Sequence, residues 1–285
     1  MINCSIVFFL SQFADDSTAT YSDLNLDQAL LKVETEFNRV LEWLAANKLI
    51  INLNKTHLML FTNRKLPQSI SITANGQIIN EVTETKFLGV ILDNKLSWNA
   101  HINYISKKIS KSVSILKMLK FTFPSNILKS LYHSLIYPYY TYCNLVWGCA
   151  SNIHLETLVK LQKKAVRIIC KAGYYDHTES LFNNLKLLQV KEIYDFNCAK
   201  FIYQCYNSNT YVYFKAKLQT NSSFHNYETR NRNLLRKPNV RLQKFMNSFL
   251  NNGIVMWNKL HDSIKESPTT LSFKTIVKAF ILNNK

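Results

Sequence analysis

The segment FFLSQFADDSTATYS, Phe8 to Ser22, holds two adjacent carboxylates, Asp15 and Asp16, between stretches that read as β-strands. Phe8, Phe9 and Leu10 form a short apolar run, while Thr18, Thr20 and Tyr21 suit a strand leaving a tight turn. Adjacent like charges repel, and a two-residue hairpin turn favours Asn-Gly or Asp-Gly. Two readings therefore fit the pair. One is a solvated turn; the other is a site for a hard divalent cation such as Mg²⁺, which takes carboxylate oxygens fixed on strand ends.

The remaining chemistry-bearing residues are mostly basic. In residues 100–120, Ile102, Ile105, Ile109, Val113, Leu116 and Leu119 form one helical face, and Lys107, Lys108, Lys111, Lys117 and Lys120 lie away from it. Around 153–172, Lys160, Lys164, Arg167 and Lys171 recur at helical spacing and form a basic stripe with almost no acid to balance it. The stretch TRNRNLLRKPNVRLQK, 229–244, carries Arg230, Arg232, Arg236, Lys237, Arg241 and Lys244 without an acid. Solvated helix faces, an exposed loop or a nuclear-localisation signal would account for such runs. Phosphate contact is the sharper reading, because the arginine fork matches phosphate and successive basic helices favour a polyanion.

The bulk charge agrees. The 285 residues carry a formal net charge of +17, unevenly spread: residues 1–60 hold four Lys/Arg against seven Asp/Glu, and residues 61–285 hold 31 against 11. A surface this basic, with Tyr and Phe interleaved, points to nucleic acid ahead of an acidic membrane face. No stretch reaches the roughly 18–20 apolar residues of a membrane span. The opening MINCSIVFFLSQFADD lacks the positive start of an export signal, so an intracellular protein, nuclear or cytoplasmic, is expected. The six cysteines, Cys4, Cys143, Cys149, Cys170, Cys198 and Cys205, show no metal-type spacing and are expected as reduced thiols.

These residues must be positioned by a mixed α+β fold. After the first hairpin, Leu26, Ala29, Leu30, Val33, Phe37, Val40, Leu41 and Leu44 step by three or four, predicting a long helix with Asn25 as its N-cap. LIINL and HLMLF read as strands, SISITANGQII as a hairpin turning at Asn75-Gly76, and KFLGVILD as a further buried strand. Residues 5–93 are thus expected to pack one helix against an antiparallel sheet. Beyond Trp98 the chain reads as helical, with Pro138 interrupting the pattern over 125–147 and a loop near 207–210.

Several segments in order carry a resemblance: FADD (13–16), NKLIINLNKT (47–56), KFLGVILD (86–93), LSWNAHI (96–102), SLIYPYYTYCNLVWG (134–148), LVKLQKKAVRII (158–169), TRN (229–231) and WNKL (257–260). Together they resemble the later palm motifs and downstream region of reverse transcriptases of LINE-type (non-LTR, jockey-like) retrotransposons. The resemblance implies a partial palm over 1–97, a helical thumb-like region over 98–173 and a basic, mainly helical region over 174–285. It implies RNA and DNA, as primer–template, for partners and Mg²⁺ or Mn²⁺ as cofactor. Asp15 and Asp16 then correspond to the paired aspartates that hold the metal. Lys55 corresponds to a lysine that neutralises or protonates pyrophosphate, or is a plain surface lysine. Phe87, Leu88 and Gly89 correspond to a primer-grip hairpin, with Gly89 allowing close backbone approach or marking a bulge. Lys107, Lys108, Lys111, Lys117, Lys160, Lys164, Arg167, Lys171, Arg230, Arg232 and Arg236 are the expected nucleic-acid contacts. A site of this kind needs a further, upstream aspartate, and Met1 to Gln12 contain no acid. The chain alone is therefore expected to bind metal weakly and to be catalytically incomplete. The alternative is a non-catalytic nucleic-acid-binding protein of transposon origin.

Overall fold

Asn25 starts the long helix where expected: its Oδ1 accepts from the backbone N–H groups of Asp27 and Gln28 at 2.9 and 3.4 Å, and α1 runs Leu26–Ala46. In the computed structural model, which describes residues 8–64, 69–74, 76–208, 211–224 and 230–283, the fold is mixed α+β. The chain divides into two units, 1–96 and 97–285.

In the first unit, six short strands pair antiparallel as three hairpins: β1 (Phe9–Phe13) with β2 (Asp16–Thr20), β3 (Ser71–Ala74) with β4 (Gln77–Asn80), and β5 (Glu84–Phe87) with β6 (Val90–Asp93). The helix packs on the middle hairpin. Val40, Leu41 and Leu44 of α1 meet Ile72 and Ala74 of β3 and Ile79 of β4, the inward residues of a period-two alternation. Polar residues of α1 serve the free edge of β3: Glu34 accepts from the Thr73 N–H at 3.1 Å, and Asn38 donates to its carbonyl at 3.4 Å.

Three strand expectations are corrected. The sheet expected over 5–93 is three separate two-stranded hairpins among the described residues. LIINL and HLMLF are not strands: Leu53–Lys55 closes a 3-10 turn, Thr56 Oγ1 donates back to Asn52 O at 3.1 Å, and Leu58 makes an isolated bridge to Glu81. Local Asn and Thr hydrogen bonding outcompetes strand pairing there. KFLGVILD is not one strand but the end of β5, a turn and β6, because Leu88 (φ 44°) and Gly89 (φ 82°) turn the chain between Phe87 and Val90. The expected turn residue Asn75 lies outside the described residues; Gly76 beside it has φ 74°.

The second unit is helical: α2 (Asn99–Leu119), α3 (Ser125–Leu135), α4 (Tyr137–Thr141), α5 (Asn144–Trp147), α6 (Asn152–Ile169), α7 (Glu179–Leu185), α8 (Val190–Asn207), α9 (Val212–Lys217), α10 (Gln243–Met246), α11 (Phe249–Lys259), α12 (Asp262–Lys265) and α13 (Thr270–Asn283). Helix α2 packs on α6, and α8 packs on α11 and α13. Gly253 permits the α8–α11 approach, since a Cβ there would stand 3.0 Å from Ile202 Cγ1. Tyr203 of α8 stacks on Phe273 of α13 at 4.1 Å and donates its hydroxyl to Ser267 O at 2.6 Å. The break expected near Pro138 falls at Ile136, between α3 and α4.

Candidate functional site

The carboxylate pair sits at the tip of the β1–β2 hairpin. Phe13 pairs with Asp16, leaving Ala14 and Asp15 as the two turn residues. Ala14 takes φ 51°, the left-handed conformation that a non-glycine residue rarely adopts. Asp15 and Asp16 are both exposed, as are Phe9 and Phe13 on the strand leading to them. The pair offers hard oxygen donors, the chemistry that Mg²⁺ and Mn²⁺ require. Among the described residues no three His, Cys, Asp or Glu side chains cluster to complete a cage. Lys55 ends the 3-10 turn, exposed, and makes no ion pair with either aspartate. Phe87 ends β5, and Leu88 and Gly89 are the turn of the β5–β6 hairpin.

The basic residues divide by setting. On α2, Lys107, Lys108, Lys111 and Lys117 are exposed, opposite the buried face of Ile102, Ile105, Ile109, Val113 and Leu116. Lys120, just past this helix, donates instead to Ala172 O at 3.3 Å. On α6, Lys164 is exposed, and Lys171 lies just past the helix with φ 55°. Two members of the expected stripe have partners within the protein, one of them an acid. Lys160 pairs with Glu156 one turn earlier at 3.1 Å, and Arg167 donates from Nε to Asp176 O at 2.9 Å, holding the loop after α6. Arg230, Arg232 and Arg236 lie exposed in an irregular segment, and the Arg236 guanidinium stacks 3.7 Å from the Phe224 ring centroid. That aromatic partner was missed in the sequence. The interleaving of Tyr and Phe with basic residues was its only signal.

Burial, then Lys274, lowers the Lys200 ammonium below its usual range; burial, then Lys129, does the same to Lys278. No acidic residue occurs between Asp93 and Glu156. Among the described residues no helix is long and apolar enough to cross a membrane.

No family model and no solved structure matches the chain. It is similar to the probable RNA-directed DNA polymerase from transposon BS of Drosophila melanogaster, 26% identical over 187 residues, covering 64% of this chain and 21% of that protein. The probable RNA-directed DNA polymerase from transposon X-element of the same species is 27% identical over 186 residues, covering 64% and 20%. The RNA-directed DNA polymerase from mobile element jockey of Drosophila funebris is 26% identical over 188 residues, again covering 64% and 20%. The chain thus spans about a fifth of the length of the curated relatives it matches. The expected resemblance is borne out: the chain's relatives are RNA-directed DNA polymerases of jockey-like and other non-LTR transposons, and it matches a fragment of such a protein.

Proposed function

We propose that the chain serves as the late palm and thumb of an RNA-directed DNA polymerase from a non-LTR transposon, contacting a primer–template duplex. The observation that carries this reading is the similarity to transposon polymerases over 64% of the chain. The exposed hairpin carboxylates and the lysines of α2 and α6 support it.

Asp15 and Asp16 would hold Mg²⁺ or Mn²⁺, and their all-oxygen donor set fits such an ion in kind though not in number. Such ions, when bound, would supply Lewis-acid chemistry for activating a primer hydroxyl and stabilising a leaving pyrophosphate. Lys55 supplies positive charge toward pyrophosphate, and its exposed ammonium can donate a proton. The Leu88-Gly89 turn grips the primer, as an exposed glycine lets a backbone approach closely. Lys107, Lys108, Lys111 and Lys117 of α2, with Lys164 of α6, neutralise duplex phosphates; Lys160, Arg167, Lys171, Arg230, Arg232 and Arg236 extend the contact. Residues 98–173 act as the thumb and 174–285 as a further basic region.

Two measurements test this. Replacing Lys107, Lys111, Lys164 and Arg167 together with Ala is expected to weaken binding of an RNA–DNA hybrid by about tenfold or more at moderate salt. Unchanged affinity would remove the thumb assignment. With Mg²⁺ or Mn²⁺ and a primed template, the chain alone is expected to give no extended product. Product that disappears in Asp15→Asn would show a complete site and overturn the expectation of incompleteness.

A further inference from the structure

A groove of roughly 660 Å³ opens in the second unit, between α9 with residues 218–224 and residues 236–250. Tyr213, Phe224 and Phe245 line it and are 69%, 52% and 44% exposed as residues, although folding ordinarily removes such aromatic surface from water. Two cations line it too and sit over those rings. The Arg236 guanidinium is 3.7 Å from the Phe224 centroid, and the Lys217 ammonium is 5.4 Å from that of Tyr213.

The walls are tied together. The Arg236 N–H donates to Gln219 O at 2.8 Å, and Thr220 and Leu235 form an antiparallel bridge. Asn258 of α11 holds Leu235 at both backbone groups, accepting from its N–H at 3.0 Å and donating to its carbonyl at 2.9 Å. Beneath α9, Phe214 packs edge-on against Phe201 at 5.2 Å and meets Phe249 at 5.6 Å. The rings are thus presented on a fixed frame, which spares a ligand the cost of ordering them. Charge selects the ligand: residues 211–261 contain nine Lys/Arg and one acid, Glu228.

We propose that this groove binds unpaired nucleotides of a single-stranded nucleic acid. Bases stack on Phe224 and Tyr213, and the adjoining phosphates pair with Arg236 and Lys217. A duplex keeps its bases stacked inside and cannot reach the rings. An acidic peptide would use the cations but leave the aromatic faces idle. The inference rests on reading the second unit as a nucleic-acid contact and adds to it a place for the unpaired strand.

The test uses the full chain with a dye-labelled oligothymidine of about 12 nucleotides, and an RNA–DNA hybrid in parallel. Phe224→Leu and Tyr213→Leu keep apolar bulk but remove the aromatic face; each is expected to weaken oligothymidine binding about tenfold and to leave hybrid binding unchanged. Phe224→Trp is expected to retain affinity, and thermal melts establish that each variant folds. Leucine variants that bind oligothymidine like the parent chain, or lose both ligands equally, would overturn the groove. So would displacement of the oligonucleotide by polyglutamate as readily as by polyuridine, which would mean attraction by charge alone. Hybrid binding with no oligothymidine binding overturns the groove and leaves the polymerase reading standing. Groove-dependent oligothymidine binding with no hybrid binding does the reverse.

Discussion

Gln162 holds more of the second unit together than any charged residue of α6. Its amide donates to the Tyr132 hydroxyl at 3.0 Å and to Leu188 O at 2.9 Å, and its oxygen accepts from the Val190 N–H at 3.0 Å. All of this lies in a fully buried position joining α3, α6 and the start of α8. Gln162→Leu would strand buried polar groups, each costing about 1–3 kcal/mol; a urea titration should show stability lower by about 2–4 kcal/mol. The buried thiols give a second residue-scale expectation. Burial pushes Cys198 up to about 12 and Cys205 up to about 11. Both should resist alkylation at mild alkaline pH until the protein unfolds. Because the folded values lie above the ordinary 9.0, these thiols contribute stability that is full below that pH and is lost as pH rises toward the folded values. Mass-spectrometric counting of labelled cysteines, native and in urea, checks the first point; early native labelling of Cys198 would contradict its burial. Neither role was legible in the sequence, since one glutamine on a helical face looks like any other and a cysteine without a partner pattern says nothing of depth. Asp15 and Asp16 were legible because adjacent acids break turn chemistry.

At the scale of elements, the helices were readable and the strands less so. The period of α1 and the cap at Asn25 are local properties, as are the apolar and basic faces of α2. The strands depend on partners distant in sequence, so LIINL and HLMLF, apolar enough for a sheet, lie in extended chain and a 3-10 turn instead. The β5–β6 hairpin hid for a different reason. Its turn needs φ above zero at both central residues, and Leu88 is a poor choice where Asn is favoured. A non-glycine residue held there carries local strain of about 1 kcal/mol. Leu88→Asn is therefore expected to stabilise the hairpin by about 0.5–1 kcal/mol while weakening hybrid binding. Unchanged binding would remove the primer-grip role of this turn.

Over the whole molecule, charge is the property most plainly written in the sequence and the one the fold preserves. Residues 1–96 carry eight basic and ten acidic residues, whereas residues 97–285 carry 27 basic and eight acidic. The helices of the second unit turn that excess outward, with Lys107, Lys111, Lys117 and Lys164 all exposed. What the sequence hid was the ion pair of Lys160 with Glu156 and the hydrogen bond that ties Arg167 to a loop carbonyl. If the second unit grips a duplex through phosphates, affinity must fall with salt as counterions are released. The most direct measurement is the affinity of the full chain for an RNA–DNA hybrid across a salt series, with and without Lys107, Lys111, Lys164 and Arg167. The log–log slope should be steep in the parent chain and shallower by about three to four after all four become Ala. A flat dependence, or one that the four substitutions leave unchanged, would contradict the account.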